Sequence, residues 1–237
     1  MNKEKVVIHI TDANQCNRKL YYDYIGKKQL PVHYYTLRGI MNHLLISKFL
    51  NSNSKDLTYK EVLENRRDKN EIILKKHFNA VLPEVKDILN RFIEWYNKTE
   101  IFDKNNFYSE KELKLDWENV IICGKPDLYT SKVLIDFKPG KRGYRTKKEY
   151  LEQLSGYKWL LEETQNTNIE KSYIIYLGEE EVLEEEVELK KKYLYDLKTK
   201  LREKIKLKKQ FDKGIIPEPE RSVKCSWCIY NSSCRGY

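Results

Sequence analysis

Apolar residues recur every three to four positions through much of the first hundred residues. "YYTLRGIMNHLLISKFLN" (34–51) puts Leu37, Met41, Leu44 and Leu45 on one face, which predicts an amphipathic helix. "TDANQCNRKLYYDYI" (11–25) shows similar spacing behind Thr11 and Asp12, two residue types suited to capping. Two more helices are predicted over roughly 59–78 and 83–98, the second opened by Pro83. Near Phe107 the period falls to two. "FYSEKELKLDW" (107–117), "NVIICGKPDLY" (119–129) and "KVLIDFK" (132–138) read as strands. Helical spacing returns in "TKKEYLEQLSGYKWLLEE" (146–163), followed by a short buried strand, "KSYIIYLG" (171–178), and a glutamate-rich strand, "EEVLEEEVEL" (180–189). A Lys-rich helix is predicted over about 190–213, and the tail from Gly214, with Pro217, Pro219 and three cysteines, should be irregular. The order of elements predicts an α/β domain with a mixed sheet.

One hairpin carries an anomaly. In "CGKPDLYTSKVLIDFK" (123–138), Ser131 and Lys132 make a two-residue loop, so Thr130 pairs with Val133 and Asp127 with Asp136. Like charges directly opposite each other on a sheet are destabilising. Either the register slips or something positive lies between them. Lys138, two residues beyond Asp136, points to the same face. A solvent-facing Lys–Asp salt bridge is the bland account. A divalent cation is the other, because carboxylates are hard oxygen ligands suited to Mg²⁺ or Mn²⁺.

The net charge is +9, and "EEEVLEEEVE" (179–188) holds seven glutamates, so the remainder of the chain carries +16. The glutamate run reads as the solvated face of an edge strand or of a helix start. The basic remainder points to a polyanionic partner such as nucleic acid. "PGKRGYRTKK" (139–148) places Lys141, Arg142 and Arg145 directly after Lys138, where a phosphodiester would need them. Gln153 and Tyr157, four apart on the next helix, either touch that substrate or split into a solvated Gln and a core Tyr. No apolar run approaches the ~18 residues that span a bilayer, and the N-terminus lacks a signal-peptide pattern. A cytoplasmic protein is expected, in a compartment where disulfides are rare. Cys225, Cys228 and Cys234 are spaced C-x2-C-x5-C, and Cys16 completes a set of four. Such a set suits structural zinc or an iron–sulfur cluster. Cys123, in a predicted strand, reads as a buried structural thiol.

Taken in order, these segments resemble the RecB-type branch of the PD-(D/E)xK nucleases, and most of all its CRISPR-associated exonucleases with a [4Fe-4S] cluster. "CNRKLYY" (16–22) resembles the N-terminal Cys segment and "RGIMNH" (38–43) the Gly-x3-His helix. "GKPD" (124–127), "DFK" (136–138), "QLSGY" (153–157) and "CSWCIYNSSC" (225–234) match the later motifs, with Asp136 where many relatives have Glu. The resemblance implies a restriction-endonuclease-like core, a mixed central sheet flanked by helices. It spans a single nuclease domain over 1–237: a mostly helical part to about 100, a catalytic core over 105–190, and a helix with a cluster-binding tail over 190–237. It implies His43, Asp127, Asp136 and the carbonyl of Phe137 as ligands of Mg²⁺ or Mn²⁺, Lys138 as catalytic, and Gln153 and Tyr157 touching DNA or bracing the site. Glu110 would support a second metal. Cys16, Cys225, Cys228 and Cys234 would hold the cluster. The activity implied is exonucleolytic trimming of single-stranded DNA ends or overhangs, with CRISPR integrase proteins as partners and a homo-oligomer as an assembly open to such relatives. The alternative is a DNA-end-binding adaptor that hands substrates to an integrase or helicase; opposed carboxylates argue against it.

Overall fold

A computed structural model describes residues 5–26, 34–52, 71–143, 147–178 and 180–235. The elements are β1 (Val7–His9), a 3-10 turn (Ile10–Asn14), α1 (Asn17–Tyr24), α2 (Tyr34–Ser52), α3 (Glu71–Lys98), β2 (Tyr108–Ser109), β3 (Leu113–Trp117) and β4 (Val120–Gly124). They continue through β5 (Leu128–Tyr129), β6 (Val133–Lys138), α4 (Lys148–Gln165), β7 (Lys171–Tyr176), β8 (Leu183–Glu186), α5 (Lys191–Phe211), a second 3-10 stretch (Val223–Trp227) and a short α6 (Asn231–Arg235).

The expected mixed α/β architecture is present, with two sheets where one was expected. One sheet runs β1-β4-β3 and the other β2-β5-β6-β7-β8. The chain changes sheets at two places that the alternating pattern reads as continuous strand. Between β4 and β5, Pro126 has no N–H to give to a ladder. Between β2 and β3, Glu110 takes a left-handed conformation at φ 53°, which a strand cannot continue through. β1, too short for a pattern, pairs in parallel with β4.

β6 is the axis of the fold. It pairs antiparallel with β5 and in parallel with β7, and α4 makes the crossover that a parallel pair requires. Its residues alternate between two cores. Val133, Ile135 and Phe137 face α2 and α3, where Leu37, Met41, Leu45, Val85, Leu89, Phe92 and Trp95 pack. Leu134 faces the other way, with Tyr129, Leu154, Tyr157, Leu160 and Ile174. Asp136 and Lys138 share the second face by strand alternation. The Phe137 ring meets Phe92 edge-on at 5.2 Å. Truncating such a ring to Ala typically costs about 3–5 kcal/mol.

Two helix boundaries differ from expectation. Thr11 and Asp12 do not cap α1; they lie in the 3-10 turn, where Asp12 Oδ2 accepts from the His9 N–H at 3.0 Å, and Cys16 is the α1 N-cap. Pro83 lies inside α3 rather than at a helix start. The lost hydrogen bond is offset by burial on both sides of it, at Val81 and Val85. Most of the helix expected over 59–78 lies outside the described residues. The glutamate-rich strand is an edge strand, β8, as expected, and Glu184 there accepts from Trp95 Nε1 at 2.6 Å. Among the described residues, no helix is long and apolar enough to cross a membrane.

Candidate functional site

Asp127 and Asp136 face each other. In the β5–β6 pair Leu128 is opposite Ile135 and Tyr129 opposite Leu134, so the same register puts Asp127 opposite Asp136. The Thr130 N–H donates to the Val133 carbonyl at 2.8 Å and closes the predicted loop. At the open end the Phe137 N–H donates to Asp127 Oδ2 at 2.7 Å. That bond fastens one carboxylate to the backbone that carries the other. Both groups are buried, Asp136 at 2% and Asp127 at 8% exposure.

Two elements bring further groups to the pair. α2 delivers His43, whose Nδ1 lies 3.1 Å from Asp127 Oδ1 and 4.0 Å from Glu110 Oε1. The turn after β2 delivers Glu110, whose N–H donates to the Pro126 and Asp127 carbonyls at 3.1 and 3.3 Å. Non-glycine residues in the left-handed region cost energy and cluster at functional sites. The ligand atoms of His43, Glu110 and Asp127 all lie within 4.8 Å of one another, the one such triplet among the described residues. Asp136 stands beside it, with Lys138 Nζ 2.6 Å from Oδ2 and 4.3 Å above the Tyr150 ring. Glu110 is thus more central than the sequence indicated. Its signals there were a carboxylate within an alternating segment and the second-metal role that the resemblance implies.

The charges hold one another in unusual states. Asp127 lifts the His43 pKa from 6.5 to about 9, against the opposing effect of burial. Burial would raise Asp127, but His43, Lys138 and the Phe137 N–H outweigh it and hold the carboxyl low. Burial raises Asp136, only partly countered by Lys138, and Asp127 adds to the rise. Burial would lower Lys138, yet Asp136 and Asp127 keep it above its ordinary value. Burial also raises Glu110, with Lys125 pulling the other way.

This donor set fits a hard divalent cation. It has one imidazole nitrogen and carboxylate oxygens on fixed backbone. The buried Asp136 carboxylate has the Lys138 ammonium 2.6 Å from Oδ2, and two facing carboxylates at that depth are costly unless positive charge offsets them. The Phe137 ring is in the core, and its N–H is spent on Asp127.

The other predicted residues divide. Tyr157 is 5% exposed, so its ring offers no stacking surface to a strand; this corrects the direct DNA contact and leaves the bracing role. Gln153 Nε2 donates to its hydroxyl at 3.0 Å. Burial raises the Tyr157 pKa, and so do the nearby Asp127 and Asp136. Gly124 is small for packing reasons, because a Cβ there would meet Leu160 at 2.5 Å and Tyr157 at 3.1 Å. Lys141 and Arg142 are exposed in the loop after β6, and Arg142 reaches Glu185 at 3.1 Å. Arg145 lies outside the described residues.

The chain ends meet away from the acids. Cys228 and Cys234 pack against a cluster of Leu20, Tyr21, Tyr22, Phe211 and Tyr230. Tyr230 Oη donates to Asp23 at 2.7 Å, and Tyr22 Oη to the Ser233 carbonyl at 3.2 Å. Burial raises the Cys228 thiol, and the Cys234 and Cys16 sulfurs are near enough to raise it further. All four sulfurs are free and half-buried, but no three of them lie within 4.8 Å of one another. Cys123 is buried on β4, apart from them.

Comparison with known proteins adds a family. Residues 7–235 match the PD-(D/E)XK nuclease superfamily. No curated protein matches the sequence. Among solved structures, the one named "Putative exonuclease" from Eubacterium rectale is similar at TM-score 0.63 and 15% identity, covering 97% of this chain and 87% of that one. The crystal structure of SSO0001 is similar at TM-score 0.50 and 16% identity, covering 99% and 88%. At these identities the likeness is one of fold.

Proposed function

Because this chain belongs to the PD-(D/E)XK nuclease superfamily, we propose that it is a divalent-metal-dependent DNA exonuclease acting on single-stranded ends or overhangs. The observation that carries the reading is the opposed, buried Asp127 and Asp136 with His43, Glu110 and Lys138 converging on them. His43, Glu110, Asp127 and Asp136 would hold the ion, with the Phe137 carbonyl a further ligand. When bound, it supplies Lewis-acid polarisation of the phosphate and acidifies a water. Its two carboxylate neighbours keep the Lys138 pKa above its ordinary value, and its ammonium would donate to oxygens where charge builds as phosphorus is attacked. Gln153 and Tyr157 brace this arrangement from α4. Lys141, Arg142 and Arg145 supply positive charge for the backbone of the departing strand.

At the chain ends we infer a [4Fe-4S] cluster on Cys16, Cys225, Cys228 and Cys234. The C-x2-C-x5-C spacing with Cys16 suits a cluster or a structural zinc, and the sequence resemblance favours the cluster, whose role here would be to tie α1 to the tail. A narrower role, trimming DNA before integration with CRISPR integrase proteins, rests on the sequence resemblance alone.

The test is degradation of end-labelled single-stranded DNA with Mn²⁺ or Mg²⁺, comparing wild type with Asp136→Ala under anaerobic handling. Loss of cleavage only in the variant is the expected result. If wild type binds DNA but never cuts it, the chain is an end-binding adaptor and the nuclease proposal fails.

A further inference from the structure

We propose that the pocket beside His43 seats one unpaired nucleobase of the strand whose phosphate lies at the acidic site, and that Gly39 is the residue that leaves room for it. This rests on the nuclease reading above and names what the site recognises.

The pocket has a volume of about 490 Å³, and its walls include Tyr35, Gly39, Ile40 and His43 of α2, with Glu110 and Lys125 opposite. That size is within the ~300–1,000 Å³ of small-molecule sites. His43 and Glu110 belong both to this wall and to the triplet around Asp127. A group in the pocket is therefore a direct neighbour of whatever the carboxylates hold. A nucleotide has that form, with a flat ring at one end and a phosphate at the other.

Gly39 is otherwise unexplained. Glycine inside a helix is unfavourable relative to alanine. Gly39 does not have a positive φ, and a Cβ added there would meet nothing within 4 Å. Neither backbone conformation nor packing requires it. Its effect is to keep the pocket floor at backbone level, which matters only if something else occupies the space. The apolar wall points the same way. Tyr35 and Ile40 are 58% and 36% exposed beside a site full of charge. The Tyr35 ring stands edge-on to Tyr34 at 5.4 Å, with the Arg38 guanidinium 5.7 Å from its centroid, so its orientation is constrained from two sides. Base–aromatic stacking tolerates any sequence because every base has a π-face. In a duplex those faces are stacked, so only an unpaired base can enter. The pocket thus gives the single-strand preference a physical origin. Lys125 Nζ, 2.8 Å from Glu110 Oε2 and largely exposed, adds a positive charge at the rim.

The experiment measures binding, in a non-cutting Asp136→Asn background, by fluorescence anisotropy of single strands carrying one abasic residue at successive positions. One position should weaken binding about 10- to 100-fold. Gly39→Leu should weaken binding of the intact strand by a similar factor and leave that abasic strand unchanged. Gly39→Ala should melt no lower than its parent yet bind the intact strand less well. If Gly39→Leu does not fold, Tyr35→Ala replaces it with the same expectation. A flat abasic scan, or a folded Gly39→Leu that binds as its parent does, overturns the pocket. Wild-type cleavage with a flat scan would sink the pocket alone; a positional effect without any wild-type cleavage would sink the nuclease reading alone.

Discussion

The acidic site and the cysteine site are built in opposite ways. The carboxylates sit on adjacent paired strands, and the bond from the Phe137 N–H to Asp127 locks one strand's side chain to the other's backbone. Their spacing is set by sheet register before any ion arrives. The cysteines come from the two ends of the chain, and the ends are joined by side-chain packing around Tyr21, Phe211 and Tyr230. The Cys16 and Cys234 sulfurs are near enough to act on the Cys228 thiol, but no three of the four lie within 4.8 Å of one another. A site on register is preorganised and costs its folding energy in advance. A site on converging termini is completed by its ligand, so its cofactor contributes to folding.

The largest expected effect tests preorganisation. Burial and Asp127 raise the Asp136 carboxyl despite Lys138, so its charge opposes folding in the metal-free protein. Such a group contributes stability only when protonated, and that contribution is lost as pH rises through its raised pKa. Asp136→Asn should therefore cut nuclease activity on the order of 10³-fold while the metal-free variant melts no lower than wild type. Mn²⁺ should raise the melting temperature of wild type and not of the variant. A variant that unfolds at neutral pH would mean that the carboxylate holds the sheet together.

Next in size is the pH dependence of metal affinity. With its pKa at about 9, His43 is protonated through neutral pH in the metal-free protein. A cation must displace that proton. Apparent Mn²⁺ affinity, measured by titration calorimetry, should rise by up to about tenfold per pH unit from 7 to 9 and then level off. The stability from the proton itself has the opposite slope: it is complete below 6.5 and lost as pH rises through 9. An affinity indifferent to pH would remove His43 from the ligand set.

Much of this contrast is legible in the sequence, and the reason is local. The Asp127–Asp136 opposition follows from counting outward from a two-residue loop, because side-chain direction on a strand has a fixed period. The C-x2-C-x5-C spacing is visible for the same reason. What escapes is set by distant parts of the chain. Glu110 reaches the site because its φ of 53° breaks a segment that reads as one strand. β1 is too short for a pattern and exists only because β4 offers an edge. His43 looks like any polar residue on a helix, and no spacing within α2 reveals which carboxylate it will meet; the resemblance supplied that role.

The cysteine site should respond differently. Cys228→Ser should lower iron content at least about tenfold and lower the melting temperature, because the proposed cluster would be part of what joins α1 to the tail. The Mn²⁺-induced rise in melting temperature should persist, since no cysteine lies among the acids. Iron content by elemental analysis and the two melting curves check both statements. A zinc-loaded, iron-free wild type would sink the cluster proposal and leave the contrast between the two sites standing.

The smallest effect concerns the fifth thiol. Cys123 lies on β4, with His9 of β1 and Lys114 of β3 as its strand partners. Burial raises its pKa, with Glu112 adding to the rise, so it is a neutral, packed sulfur and not a thiolate ready for a metal. Cys123→Ala removes one buried sulfur atom from a close-packed sheet, which should cost about 1 kcal/mol and shift melting by about 2–4 °C. Iron content and Mn²⁺ affinity should stay at wild-type values, because the sheet supplies ligands to the acidic site through register and supplies none to the chain ends. If Cys123→Ala lost its iron, the cluster would sit on the sheet, and the division of labour between register and converging termini would have to be reversed.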